Sequence, residues 1–238
     1  MRRKKLFKRK YVLSAFITII IFLLGISFGM IIDNMRIRYV ENLNAQQEIN
    51  FENLQLQSDY IDLLKSENST NLCPAYQAVI EKAVGDLSDS LAKVEEYSKN
   101  NRVNEEDYAR IQKKYILDNI RYWFLVRTAK KQCPMNTTTI LYFYDSECKI
   151  CPNQGVILSY FKKIYGNNLL VFPINMDYGK DVPVVLMIER QYNITGYPSI
   201  VVEDEAYRSI VGKDELSRIL QDEFRRKNEA MRNGTLSS

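Results

Sequence analysis

The hydrophobic pattern begins with an uninterrupted apolar run, Tyr11 to Ile32, long enough to cross a bilayer core of about 30 Å as a helix. From 33 to 66 the chain turns polar and helix-favouring. Ile37, Val40, Phe51, Leu54 and Ile61 fall on the a and d positions of one heptad frame, but Asn44, Gln47 and Ser58 interrupt the seam. That pattern predicts a solvated helical stalk rather than a tight coiled coil, ended by Asn68-Ser69-Thr70-Asn71. Next, Tyr76, Ile80, Ala83, Leu87, Leu91 and Val94 recur at helical spacing, with Pro74 at the start, which suits a first helical turn. After the polar turn 99–104, Asn104 followed by Glu105 and Glu106 reads as an N-cap with acids in the first turn. The helix it starts runs to about Lys130 and is apolar on more than one side from Tyr115 to Val126. Two helices of similar length with a short turn predict an antiparallel hairpin over 73–133. One face of its second helix packs on its partner, another is left for a neighbouring domain, and Tyr122-Trp123-Phe124 reads as core of that packing.

The period then changes. Ile140 to Tyr144 is a run of branched and aromatic residues and predicts a buried strand. Val156, Ile157, Tyr160, Phe161, Ile164 and Tyr165 share one helical face. Leu169 to Ile174 predicts a strand, and Pro183 to Tyr192 a short helix. A hairpin of Ser199–Glu203 and Tyr207–Val211 turning at Asp204-Glu205 follows, then a last helix from Asp214 to about Lys227. The tail 228–238 reads as frayed and disordered.

Charge adds an orientation. The net +4 mostly reflects a basic block in residues 1–10, and the globular part carries no nucleic-acid footprint. Basic residues before the apolar run and mixed charges after it (Asp33, Arg36, Arg38, Glu41) predict a retained signal-anchor by the positive-inside rule. The expected localisation is therefore a single-pass membrane protein, N-terminus cytoplasmic and everything from Asp33 extracytoplasmic. Gly25 and Gly29 match a small-xxx-small pattern, so a homodimer through the membrane helix or the stalk is one arrangement the pattern allows.

Four cysteines and no histidine exclude Ser-His-Asp and Cys-His dyads, His-ligated metals and an imidazole base. Cys148-Lys149-Ile150-Cys151-Pro152 lies between the predicted strand and helix. Proline is tolerated only in a helix's first turn, so both thiols sit at a helix N-terminus, where free N–H groups and the macrodipole favour thiolate. Such a pair can close into a small disulfide and reopen, which is redox chemistry needing no cofactor. Cys73 opens the helical hairpin and Cys133 ends it, so both lie at one end and predict a structural disulfide.

Cys148/Cys151, the segment Gly196-Tyr197-Pro198-Ser199 some fifty residues later, and Ser209-Ile210-Val211-Gly212 before the last helix together resemble the thioredoxin superfamily. The resemblance covers roughly Met135 to Arg225, and places a thioredoxin-like domain at 135–227. It implies an α/β thioredoxin-like fold, here preceded by a transmembrane helix (11–32), a helical stalk (33–66) and an antiparallel helical hairpin. It also implies that Cys148 attacks and Cys151 resolves, that Tyr197–Pro198 is cis, and that these two residues border the substrate-binding groove. The activity implied is a membrane-tethered thiol–disulfide oxidoreductase acting on exported proteins and reset by a redox recycling partner. One position departs from the family: many thioredoxins carry a buried carboxylate six residues before the first cysteine, where Tyr142 stands. Two other readings compete, a non-catalytic thioredoxin-like binding domain that merely keeps its CxxC, and a four-thiolate zinc site.

Overall fold

The computed structural model describes residues 18–23, 25–27, 30, 52–53, 55–67, 69–99 and 105–232. The chain divides into two compact units, Met1–Ser66 and Glu67–Ser238. In the first unit the described residues 18–23, 25–27, 52–53 and 55–66 are helical. The expected transmembrane helix is corrected here: among the described residues no helix is long and apolar enough to cross a membrane. The described pieces of the run fall short of the roughly 20 apolar residues a spanning helix needs. The single-pass placement and the fold description that included a preceding transmembrane helix fall with it. The basic block, most of the stalk with all its heptad positions but Ser58 and Ile61, Gly29 and the Asn104 cap lie outside the described residues.

The second unit starts with the helical hairpin, α1 (Leu72–Lys99) and α2 (Glu105–Gln132). Tyr76, Ile80, Ala83 and Val94 of α1 are buried, as are Ile116, Ile120, Trp123, Val126 and Ala129 of α2. Besides α1, α2 packs on strand β2 and on a short helix after it, which is why its apolar surface is wider than one stripe. Tyr122 and Trp123 are buried in this packing, whereas Phe124 is exposed.

The sheet has four strands in the order β2-β1-β3-β4, with ranges β1 Thr138–Tyr144, β2 Leu169–Asn175, β3 Ser199–Val202 and β4 Glu205–Tyr207. β1 runs parallel to β2 and antiparallel to β3, and β4 returns antiparallel to β3. The parallel pair needs a crossover, which α3 (Cys151–Tyr165) supplies. β2 is an edge strand and carries Pro173, tolerable only because an edge residue can forgo one ladder bond. Ile140 and Tyr142 face a core made with Leu158 and Phe161 of α3 and Leu216 and Leu220 of the last helix. Leu141 and Phe143, on the other face by strand alternation, are also fully buried. Between β2 and β3 lie α4 (Met176–Gly179) and α5 (Pro183–Gln191); α6 (Lys213–Arg232) closes the fold.

Three boundaries differ from the sequence pattern. The β3–β4 turn is centred one residue earlier, on Glu203 and Asp204, because Glu203 takes a left-handed conformation (φ 54°). Residues 208–211 form no strand, and the Val211 N–H donates to Gln154 Oε1 (2.8 Å) instead of to a ladder. The last helix continues through Arg232, five residues beyond the expected end.

A polar clamp fastens α2 to the sheet. Glu203 accepts from Lys130 of α2, from Lys227 of α6 (2.7 Å) and from the Thr139 N–H (2.9 Å). Lys227 also donates to Thr137 O and Thr138 Oγ1, both at 2.7 Å. Next to it, Arg127 reaches Asp204 (2.6 Å) and the Tyr192 hydroxyl (3.1 Å). Burial alone pushes the Glu203 carboxyl up, but the Lys130 and Lys227 ammonium groups outweigh it and hold the carboxyl below its ordinary value.

Candidate functional site

β1 ends at Tyr144, and six residues carry the chain to the start of α3. The turn is built by side chains that satisfy its backbone. Asp145 Oδ1 accepts from the Cys148 N–H (2.9 Å), and Asp177 Oδ2 accepts from the Ser146 N–H (3.0 Å). Asp177 is itself placed by Asn175, whose side chain caps α4 by accepting from the Asp177 N–H (3.0 Å). These are the local side chain–backbone bonds that Asp and Asn offer in turns.

α3 begins at Cys151, with Pro152 in its first turn. Cys148 therefore stands three residues ahead of the helix, not in it. The two sulfurs are bonded to each other at 2.03 Å with Cα atoms 5.4 Å apart. Cys148 is half-buried and Cys151 is 2 % exposed. The helix start holds fewer free donors than its position suggests. The Cys151 N–H points at Cys148 O (3.3 Å), the Asn153 and Gln154 N–H groups at Ile150 O (3.1 and 3.4 Å), and Pro152 has none. What remains to favour a thiolate on Cys148 is the field of a fifteen-residue helix and the exposed ammonium chain of Lys149. Asp145 and exposed Glu147 oppose it.

The Tyr197–Pro198 peptide is cis. Ser199, the next residue, pairs with Phe143, so Pro198 comes level with Tyr144 at the end of β1 from which the CxxC turn leaves. Pro198 is buried and Tyr197 half-buried. The Tyr197 hydroxyl donates to Glu189 Oε1 of α5 (2.8 Å). Burial first, then that bond and the nearby carboxylates of Glu189, Asp145 and Asp177, push the Tyr197 hydroxyl pKa up. The structure thus brings four of the six sequence-derived site residues, Cys148, Cys151, Tyr197 and Pro198, to one end of the sheet. The other two, Cys73 and Cys133, are bonded to each other (S–S 2.10 Å, Cα–Cα 5.6 Å) at the end of the helical hairpin. With the four cysteines paired this way no thiolate is free for a shared metal, and among the described residues no cluster of metal-ligating side chains occurs.

Tyr142 lies under the helix start. Its hydroxyl donates to the Cys151 carbonyl (2.6 Å), its ring stacks on Tyr144 (centroids 5.1 Å), and burial pushes the hydroxyl up to about 12. It therefore stays a proton donor at neutral pH. Gln154, fully buried one turn on, ties α3 to the segment before α6 through the Val211 N–H. Sequence reasoning missed the contributions of Asp145, Asp177, Glu189 and Gln154. The pattern Asp145-x-x-Cys148 is a readable turn signal; the other three act across the fold and have no local signature.

No family model matches this sequence, and no curated protein matches it. Among solved structures it is similar to thioredoxin-2 of the malaria parasite, a component of that parasite's protein secretion machinery (18 % identity, 36 % of this chain and 82 % of that one, TM-score 0.31). It is also similar to the exposed lipoprotein thioredoxin of Streptococcus pneumoniae (14 % identity, 39 % and 89 %, TM-score 0.31). A third is chloroplastic thioredoxin z (19 % identity, 41 % and 86 %, TM-score 0.32).

Proposed function

We propose that this chain is a thiol–disulfide oxidoreductase that exchanges disulfides with other proteins through Cys148 and Cys151. The observation that carries the reading is the asymmetry of the bonded pair beside a cis-proline: Cys148 half-buried outside the helix, Cys151 buried at its start. In the reducing direction the Cys148 thiolate attacks one sulfur of a substrate disulfide. That S–S bond breaks, the attacked sulfur joins Cys148, and the other leaves as a thiolate that takes up a proton. Cys151 gives up its proton and attacks the Cys148 sulfur, releasing the second substrate thiolate. Two electrons have then passed to the substrate and the Cys148–Cys151 bond is restored. The oxidising direction runs the same steps backwards, and a dithiol or disulfide partner resets the pair. Tyr142, still protonated at neutral pH, holds Cys151 by its carbonyl and is no base for its thiol. The departing substrate thiolate is the acceptor for that proton.

The backbone at Tyr197 and Pro198 is assigned to pairing with an extended substrate segment. The substrates are assigned to exported proteins, because a chain that keeps Cys73 and Cys133 bonded suits surroundings where thiols are not held reduced. The test is trapping. Cys151→Ser should accumulate mixed disulfides with cellular proteins, seen on non-reducing gels and lost on reduction; Cys148→Ser should accumulate few. Equal trapping by the two overturns the assignment of roles, and trapping by neither leaves a non-catalytic binding domain. The reduction potential of the couple then fixes whether the chain donates or withdraws electrons.

A further inference from the structure

The cysteine turn gathers negative charge, which works against a thiolate. Asp145 is half-buried just after β1, and its Oδ1 accepts from the Cys148 N–H (2.9 Å). The Cys148 sulfur is three covalent bonds from that nitrogen, so it lies within about 7 Å of the carboxylate oxygen. Asp177 reaches the same turn through the Ser146 N–H (3.0 Å), and Glu189 comes in beside the cis-proline through the Tyr197 hydroxyl (2.8 Å). Glu147, next to Cys148, is exposed.

Against these four carboxylates the turn itself supplies one cation, exposed Lys149. The field of α3 adds the equivalent of about half a positive charge, and the first N–H groups of that helix are already turned to Cys148 O and Ile150 O. Lys113 of α2, which reaches the segment after α4, is spent on Asp181 (2.7 Å). The Tyr197 hydroxyl registers the balance. After burial, its bond to Glu189 and the charges of Glu189, Asp145 and Asp177 are what push its pKa up.

The geometry points to Asp145 as a positioning residue that shapes the cysteine turn while its charge disfavours the Cys148 thiolate, so that the pair serves as an electron donor to protein disulfides. This rests on the exchange reading above and gives it a direction. A like charge beside the sulfur destabilises the thiolate, and with it the reduced form of the pair. A couple whose reduced form is disfavoured gives its electrons away. The dithiol passes two electrons to a substrate disulfide, whose sulfurs leave as two thiols carrying the two protons, and the Cys148–Cys151 bond forms. A dithiol partner of lower potential must then reduce that bond again.

The test uses the full chain with Cys73–Cys133 bonded. Cys151→Ser leaves Cys148 as its only free thiol, and the rate of alkylation by iodoacetamide against pH reports the Cys148 thiolate. Adding Asp145→Asn keeps an oxygen to accept the Cys148 N–H and removes only the charge. The profile should move down by about one pH unit, the size of effect a like charge at this distance has near a protein surface. Asp177→Asn, which likewise keeps the Ser146 bond, should move it the same way by less, and carries the test if the first variant fails to fold. A purely structural role would move neither profile. In the intact pair, Asp145→Asn should make the couple about tenfold easier to reduce at a pH above both profiles, or about 30 mV. The reduced native chain, equilibrated with oxidised glutathione, should end mostly as its own disulfide, with two glutathione thiols released. An unmoved or upward-shifted profile would overturn the role of Asp145, and a native pair that takes electrons from glutathione would overturn the direction. Alkylation needs no protein substrate, so its outcome is independent of whether mixed disulfides are trapped.

Discussion

Removing the Cys73–Cys133 bond should destabilise one helix far more than the rest of the second unit. The bond closes a loop with a sequence separation of 60, and confining the unfolded chain that much corresponds to about 4 kcal/mol in the chain-entropy model. For a domain of this size that is a fall in melting temperature of roughly 10 °C. The loss should be uneven. α2 is anchored to the sheet by β2 packing and by the Lys130–Glu203 and Arg127–Asp204 pairs, whereas the main packing partner of α1 is α2. The perturbation is Cys73→Ser with Cys133→Ala, alanine being chosen because Cys133 is buried. Both variant and control carry Cys148→Ser and Cys151→Ser, so that no thiol can reshuffle. Urea unfolding followed by circular dichroism gives the free-energy difference, and native-state amide exchange shows where it falls. The expected pattern is a loss of several kcal/mol, with α1 amides opening first. A loss below about 1 kcal/mol would mean that the disulfide removes little unfolded-state freedom. Equal acceleration across α1, α2 and the sheet would refute the idea that α1 depends on the bond.

Other outcomes follow from the buried polar groups. Glu203 has its carboxyl lowered in the fold, so its contribution is present above its ordinary pKa of 4.5 and is lost as pH falls through the lowered value. Urea unfolding from pH 7 down to pH 3, expected to be steeper in acid for the native chain than for Glu203→Gln, checks this. At neutral pH the same variant should be less stable by about 3 kcal/mol, since it leaves the largely covered Lys130 and Lys227 ammonium groups without their shared counter-charge. Tyr142→Phe should cost only about 1 kcal/mol in urea unfolding, because the Cys151 carbonyl, in the first turn of α3, still has its place in the helical ladder. Ultraviolet titration of the same variant should lose one of the tyrosines that ionise only near 12.

How much of this was readable in advance depended on how locally each feature is encoded. β1, the CxxC turn and the helical hairpin were legible because period, branched residues and proline position act within a few residues of themselves. The β3–β4 turn was misplaced by one residue because nothing near Glu203 announces a left-handed backbone. The conformation is held by Lys130, Lys227 and the Thr139 N–H, which come from three other segments. The missing strand at 208–211 has a similar cause, a side chain on α3 taking the Val211 N–H that a ladder would have used. The apolar run 11–32 shows the opposite failure. Hydropathy is a purely local signal, and the described helical pieces do not reach spanning length.

Tyr142 shows where local reading stops and site chemistry begins. From the sequence its position implied only that a carboxylate was lacking. In the fold the hydroxyl sits one hydrogen bond from the Cys151 backbone and is too weak an acid to change charge near neutrality. A carboxylate in that place could take the proton that Cys151 must lose; a tyrosine can only hold the helix start still. In the proposed exchange the Cys151 thiol then passes its proton to the departing substrate thiolate, and the second step becomes the one most sensitive to the leaving sulfur. A substrate whose thiol is more acidic is a better leaving group but a poorer proton acceptor. Resolution rates measured against a series of small aromatic thiols of graded pKa should therefore bend where departure stops limiting and proton acceptance begins to limit. The bend should persist in Tyr142→Phe, which keeps the same protonation pattern, and vanish in Tyr142→Asp, which restores an internal base. A straight relation in the native chain would mean that Cys151 loses its proton by a route independent of the substrate.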